Sequence, residues 1–94
     1  MQYFVTVDPK DIKKERAKAK DLRKTGWWKQ KLAQGICYYC EQSFSVSDLS
    51  MDHIVPVSRG GKTSKGNVVV SCKDCNNKKK YYTPAEMILS GDEL

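Results

Sequence analysis

Asp52 and His53 stand side by side in a chain that has no other histidine, between Cys37-x-x-Cys40 on one side and Cys72-x-x-Cys75-Asn76 on the other. An imidazole with an ordinary pKa near ~6.5 is able to be neutral at cellular pH and to take a proton from water. The Asp52 carboxylate and an asparagine amide such as Asn76 are hard oxygen donors, suited to a divalent ion that keeps several of its waters. That combination fits phosphodiester hydrolysis, which needs a nucleophilic water, shielding of the charge on the phosphate and help for the departing 3′ oxygen. Neighbours on a regular strand point to opposite faces, so bringing both Asp52 and His53 to one site calls for a local distortion.

The elements that position these residues begin with the cysteines. Each Cys-x-x-Cys turn aims two sulfurs inward, so Cys37, Cys40, Cys72 and Cys75 are able to converge on one structural Zn²⁺. Disulfides are the alternative; no cleavable apolar leader is present, the chain is rich in lysine, and the halves of each pair are too close in sequence to cross-link easily with each other. The stretch between the pairs exceeds the usual ribbon spacing, and the His53 segment fills it. At 94 residues and 39% apolar content the chain is read as a single domain whose core is too small to be deep, so a bound zinc would supply folding energy outright.

A helix is expected from Asp8-Pro9, with aspartate as cap and proline in the first turn, to about Lys24. Gly26 is expected to end it, and Trp27 to Gln34 to form a second short helix closed by Gly35. Trp28 and Leu32 share a face of that helix, and the tryptophans read as anchors of the arm to the body rather than as platforms for bases. Met1 to Val7 starts with strand-like alternation. Asp52 to Val57 reads as a strand, Arg59-Gly60-Gly61-Lys62 as a loop, Asn67 to Ser71 as a second, β-branched strand, and Lys73 to about Tyr81 as a helix with Cys75 and Asn76 in its first turn. Thr83-Pro84-Ala85-Glu86 carries a capping-box pattern that opens a terminal helix, ahead of an acidic tail. The organisation is one domain: a basic helical arm (1–35), a zinc-bound core (36–81), and a short C-terminal helix and tail (82–94).

The formal net charge is +6, and four thiolates on one Zn²⁺ would leave about +4, still basic. Between Lys10 and Lys31 ten Lys/Arg face three Asp/Glu, a local excess of +7. Lys13, Arg16, Lys20 and Arg23 recur at three- and four-residue steps along one helical face, a spacing able to track a phosphate backbone; the plainer reading is a solvated surface. No apolar run approaches the roughly twenty residues that span a membrane, so a cytoplasmic protein with no membrane partner is expected.

Strand, loop, strand, helix, with Asp52-His53-Ile54-Val55-Pro56, Arg59-Gly60-Gly61, Asn67 and Cys72-x-x-Cys75-Asn76-x-x-Lys79, resembles the ββα-metal motif of the HNH endonuclease family over roughly residues 36 to 80. The resemblance implies an α+β fold, a small zinc-stabilised, treble-clef-like ββα domain behind a basic helical arm. It also implies a metal-dependent DNA endonuclease leaving 5′-phosphate and 3′-hydroxyl ends. In that reading His53 is the general base and Asp52 and Asn76 hold one catalytic Mg²⁺ or similar ion such as Mn²⁺, separate from zinc. Asn67 then pins the loop through backbone hydrogen bonds, and Asn77 is the alternative ligand one step around the helix. Arg59 and Lys79 are candidate clamps for the scissile phosphate. Against the nuclease stand a non-catalytic zinc module that binds nucleic acid through its arm and a zinc-stapled protein-interaction domain. A homodimer, or a phage or restriction protein as partner, is compatible with any of these.

Overall fold

The computed structural model describes residues 7–79 and 82–90, without the side chains of residues 87 and 90. Its elements run α1 (Pro9–Leu22), α2 (Gly26–Ala33), β1 (Leu49–His53), β2 (Val68–Cys72), α3 (Lys73–Lys79) and α4 (Pro84–Ser90), with single 3₁₀ turns at Val46–Asp48 and Val57–Arg59. The strand-like start at Met1 lies, but for Val7, outside the described residues.

Local chemistry explains each boundary. Asp8 caps α1 by accepting the Lys10 N–H at 2.8 Å, and Pro9 fills the first turn, where a missing N–H costs nothing. Thr25 separates α1 from α2: its hydroxyl donates to the Leu22 carbonyl at 2.7 Å and accepts the Trp28 N–H at 3.2 Å. Gly26 is therefore the first residue of α2 rather than the terminator of α1, because the side-chain cap one position earlier decides where the new helix starts. Gly35 closes α2 at φ +69°, a left-handed conformation that suits glycine. At α4 the expected capping box is present: the Glu86 carboxylate accepts the Thr83 N–H at 2.9 Å and the Thr83 hydroxyl accepts the Glu86 N–H at 3.3 Å.

β1 and β2 form an antiparallel pair in unbroken register from Leu49↔Cys72 to His53↔Val68. The first strand thus ends at His53 instead of beginning at Asp52. Ile54 to Pro56 alternate as a strand would, but Asn67 captures Val55 and turns that segment into the loop. β2 is buried along its whole length and runs directly into α3, which packs on both strands. The Cys37–Cys40 knuckle lies against β2 through the Tyr38 N–H to Val70 carbonyl bond at 2.8 Å, and Glu41 takes a left-handed φ of 60° to reverse the chain.

The core gathers Trp28, Cys37, Leu49, Val70, Cys72 and Cys75, with Trp27, Leu32, Tyr39, Phe44 and Met51 packed around it. Three of the four cysteines are core residues, so the sulfur cluster lies in the hydrophobic centre instead of on a rim. Trp28, 3% exposed, fixes α2 to it as the sequence predicts. Losing such a ring typically costs about 3–5 kcal/mol, a large share of the stability of a domain this small.

Candidate active site

All four sulfurs lie within 4.8 Å of one another, with Cys40 Sγ and Cys72 Sγ at 4.0 Å, and none is in a disulfide. A tetrahedral ion with Zn–S bonds of about 2.3 Å needs sulfurs about 3.8 Å apart, so the donor set and spacing fit zinc. The thiols are electrostatically unlike. Burial opposes ionisation of Cys37, yet the backbone groups of Cys40, Cys72 and Tyr39 outweigh it and bring its pKa to about 7. Cys75 is pushed up by burial and by its sulfur neighbours.

Tyr39, inside the first Cys-x-x-Cys turn, donates its hydroxyl to Asp52 Oδ2. Burial and the Asp52 charge hold the phenol far above its usual range, so it remains a donor. Lys79 reaches the same carboxylate oxygen at 3.4 Å and donates to the His53 carbonyl at 2.8 Å. The Lys79 side chain is 1% exposed; it is directed inward, and the phosphate clamp expected of it gives way to a buried ion pair that fixes Asp52. The other oxygen of Asp52, Oδ1, has no partner among the described residues.

The His53 ring is half-buried, with Nε2 at 2.9 Å from Thr63 Oγ1. That hydroxyl is also 2.9 Å from the Glu15 backbone carbonyl, which is able only to accept. The single hydroxyl proton satisfies the carbonyl, so the imidazole must donate from Nε2–H; the reverse arrangement would set two lone pairs against each other. Nδ1 is then the nitrogen that keeps its lone pair. Burial lowers the His53 pKa; Asp52 and Glu15 oppose the shift, Lys79 and Arg23 add to it, and the net direction favours the neutral base.

Met51, Asp52 and His53 line one open cleft of about 430 Å³ together with Arg16, Ala19 and Arg23 of α1 and Pro56, Val57 and Ser58 of the loop. Three consecutive strand residues border this single cleft, and among the described residues β1 pairs with β2 alone. The distortion predicted for Asp52 and His53 is absent, for the register from Leu49 to His53 contains no bulge. Arg16 and Arg23 of α1 thus line the same cleft as the Asp-His pair. Lys13 and Lys20 are exposed on the same side of α1 but outside the cleft lining.

The loop is held by Asn67, whose Oδ1 accepts the Val55 N–H at 2.9 Å and whose Nδ2 donates to the Val55 and Lys62 carbonyls at 3.1 and 2.8 Å. Asn76 is half-buried on α3 directly after Cys75, its side chain has no hydrogen-bond partner among the described residues, and it is not part of the cleft lining; Asn77 is exposed. Arg59 pairs with Glu86 at 2.8 Å and so ties the loop to α4 instead of facing the cleft. Sequence reasoning missed Tyr39, Thr63 and Glu15. Glu15 stood in the sequence as one of only three acids within the basic run, on the face of α1 shared with Ile12 and Ala19 rather than with Lys13, Arg16, Lys20 and Arg23, and that placement was the available signal.

The sequence model of the HNH endonuclease family matches residues 37–90, more than half of the chain. No curated protein matches it. Among the described residues no helix is long and apolar enough to cross a membrane.

Proposed function

The chain belongs to the HNH endonuclease family, and from that premise we propose that it is a metal-dependent endonuclease that hydrolyses DNA phosphodiester bonds. The observation that carries this reading is the placement of Asp52 and His53 in one cleft walled by Arg16 and Arg23. His53 Nδ1 accepts a proton from the attacking water. Arg16 and Arg23 hold the phosphodiester by charge-assisted hydrogen bonds, with Lys13 and Lys20 extending the positive strip along α1. Asp52, through Oδ1, and Asn76, by the amide next to Cys75, are the residues that would hold a hard divalent ion such as Mg²⁺ or Mn²⁺. Such an ion supplies charge neutralisation at the phosphate and at the leaving oxygen. The Cys37, Cys40, Cys72 and Cys75 thiolates hold zinc and take no part in the chemistry.

The test is conversion of supercoiled plasmid to nicked or linear product. Cleavage is expected with Mg²⁺ or Mn²⁺ added to protein that carries only its thiolate-bound zinc, with 5′-phosphate and 3′-hydroxyl ends, and is lost in Asp52→Ala. The competing reading, a zinc module that only binds nucleic acid, predicts binding without cleavage in any metal. Salt-dependent binding is common to both; replacing Arg16 or Arg23 by Ala should lower the slope of log affinity against log salt by about one phosphate contact each.

A further inference from the structure

Glu15 is an acid on a helix whose neighbours are mostly cationic, yet it is 3% exposed and faces the body of the domain. Its carboxylate accepts the Thr63 N–H at 2.6 Å, and Lys18 lies at 3.3 Å from its second oxygen. Its backbone carbonyl accepts the Thr63 hydroxyl, so one helix residue grips one loop residue at two points. The far side of that hydroxyl meets His53 Nε2.

We infer that Glu15 and Thr63 form a relay by which α1 sets the tautomer and orientation of the His53 imidazole, making both of them positioning residues for the general base. The inference rests on the nuclease reading for its consequence in catalysis; the state of the ring is independent of it. Geometry supports the direction of every bond. The carbonyl takes the hydroxyl proton, the hydroxyl oxygen takes Nε2–H, and Nδ1 is left as the acceptor. The loop segment carrying Thr63 is held on its other side by the Asn67 bond to the Lys62 carbonyl, so the hydroxyl does not follow the ring; the ring follows the hydroxyl. Because Arg16 follows Glu15 directly and lines the cleft, the helix that contacts the phosphate also orients the base. The arm is thus part of the active site's framework as well as a charged strip.

The chain has a single histidine, so the ¹⁵N and ¹H signals of its ring belong to His53 without ambiguity. In the wild-type protein at neutral pH the expected spectrum has a protected Nε2–H and an unprotonated Nδ1. Thr63→Val, which keeps the side-chain shape and removes the hydroxyl, should lose the protected Nε2–H and lower kcat by about 10- to 100-fold with KM for an oligonucleotide duplex little changed. Thr63→Ser should restore both. Glu15→Gln, which leaves the backbone carbonyl in place, should retain the tautomer. A protonated Nδ1 in the wild type, or Thr63→Val with unaltered ring signals, overturns the relay. A wild-type protein that shows the expected ring signals but cuts no DNA under any metal overturns the nuclease reading instead, and leaves the relay as the device that fixes the ring.

Discussion

Individual side chains around Asp52 are bound to roles that exclude others. Lys79 is the clearest, an ammonium buried under the domain with a carboxylate and a carbonyl as its partners. Removing one member of such a pair leaves an uncompensated buried charge, which typically costs about 3–5 kcal/mol. Lys79→Ala is therefore expected to lower the unfolding free energy by that amount in denaturant titrations; a loss below about 1 kcal/mol, the range of a surface ion pair, would show that Lys79 is solvated after all. Asp52 and His53 were legible in the sequence because a lone Asp-His dipeptide between two cysteine pairs is rare. Tyr39, Thr63 and Lys79 were not, since their roles depend on contacts between segments 10 to 48 residues apart. Lys79 in particular reads from sequence as a candidate phosphate clamp, and nothing in the lysine run around it announces its burial against Asp52.

At the scale of elements, the loop between β1 and β2 is held from three directions: by Asn67, by Glu15 through Thr63, and by the fit of Gly61 against the chain after His53. A Cβ at Gly61 would lie 1.7 Å from the Val55 carbonyl oxygen and 2.6 Å from its carbon. Backbone is unable to yield there as a flexible side chain would. Gly61→Ala should therefore displace the segment that follows His53, lowering both the melting temperature and cleavage; unchanged values of both would mean that the loop is loosely held. The grip of α1 on this loop has its own pH signature. The Thr63 N–H, followed by Lys18, holds the Glu15 carboxyl below the ordinary carboxylate range. A lowered folded-state pKa means that its stabilisation is complete above the unfolded glutamate value of about 4.3 and is lost as pH falls through the lower folded value. The Thr63 amide proton shift should report that transition with a midpoint below 4.3 on this ordinary scale; a midpoint at or above it would contradict the contact. Helix caps and the terminal capping box were readable because they are local. The limits of β1 were not, because whether Ile54 to Pro56 pair as strand or fold back as loop is decided by Asn67 from 12 residues away.

For the whole molecule, the sulfur cluster is the centre from which the other parts are hung. It sits in the core with Trp28, it holds the knuckle that presents Tyr39 to Asp52, and it begins the helix that carries Asn76 and Lys79. With zinc held there as proposed, metal, core and the Asp52–His53 pair form one cooperative unit, and removing the ion with a strong chelator is expected to unfold the chain, seen as loss of helical circular dichroism and exposure of the tryptophans. Retention of a native spectrum without the ion would mean that the apolar core suffices. The ββα order and the four-thiolate site were legible because spacing encodes them. The docking of the arm across the cleft was not, because a basic amphipathic helix reads equally well as a free arm.

The central claim is that His53 activates water in a cleft assembled by these parts. It is tested most directly by comparing cleavage of supercoiled plasmid by the wild type and by His53→Ala under the same Mg²⁺ or Mn²⁺ concentration, with zinc content and circular dichroism matched. The expected result is wild-type cleavage that falls by roughly 10²–10⁴-fold in the variant, the usual loss of a general base, while DNA binding persists. Equal cleavage by the two proteins, or none by the wild type, would contradict it.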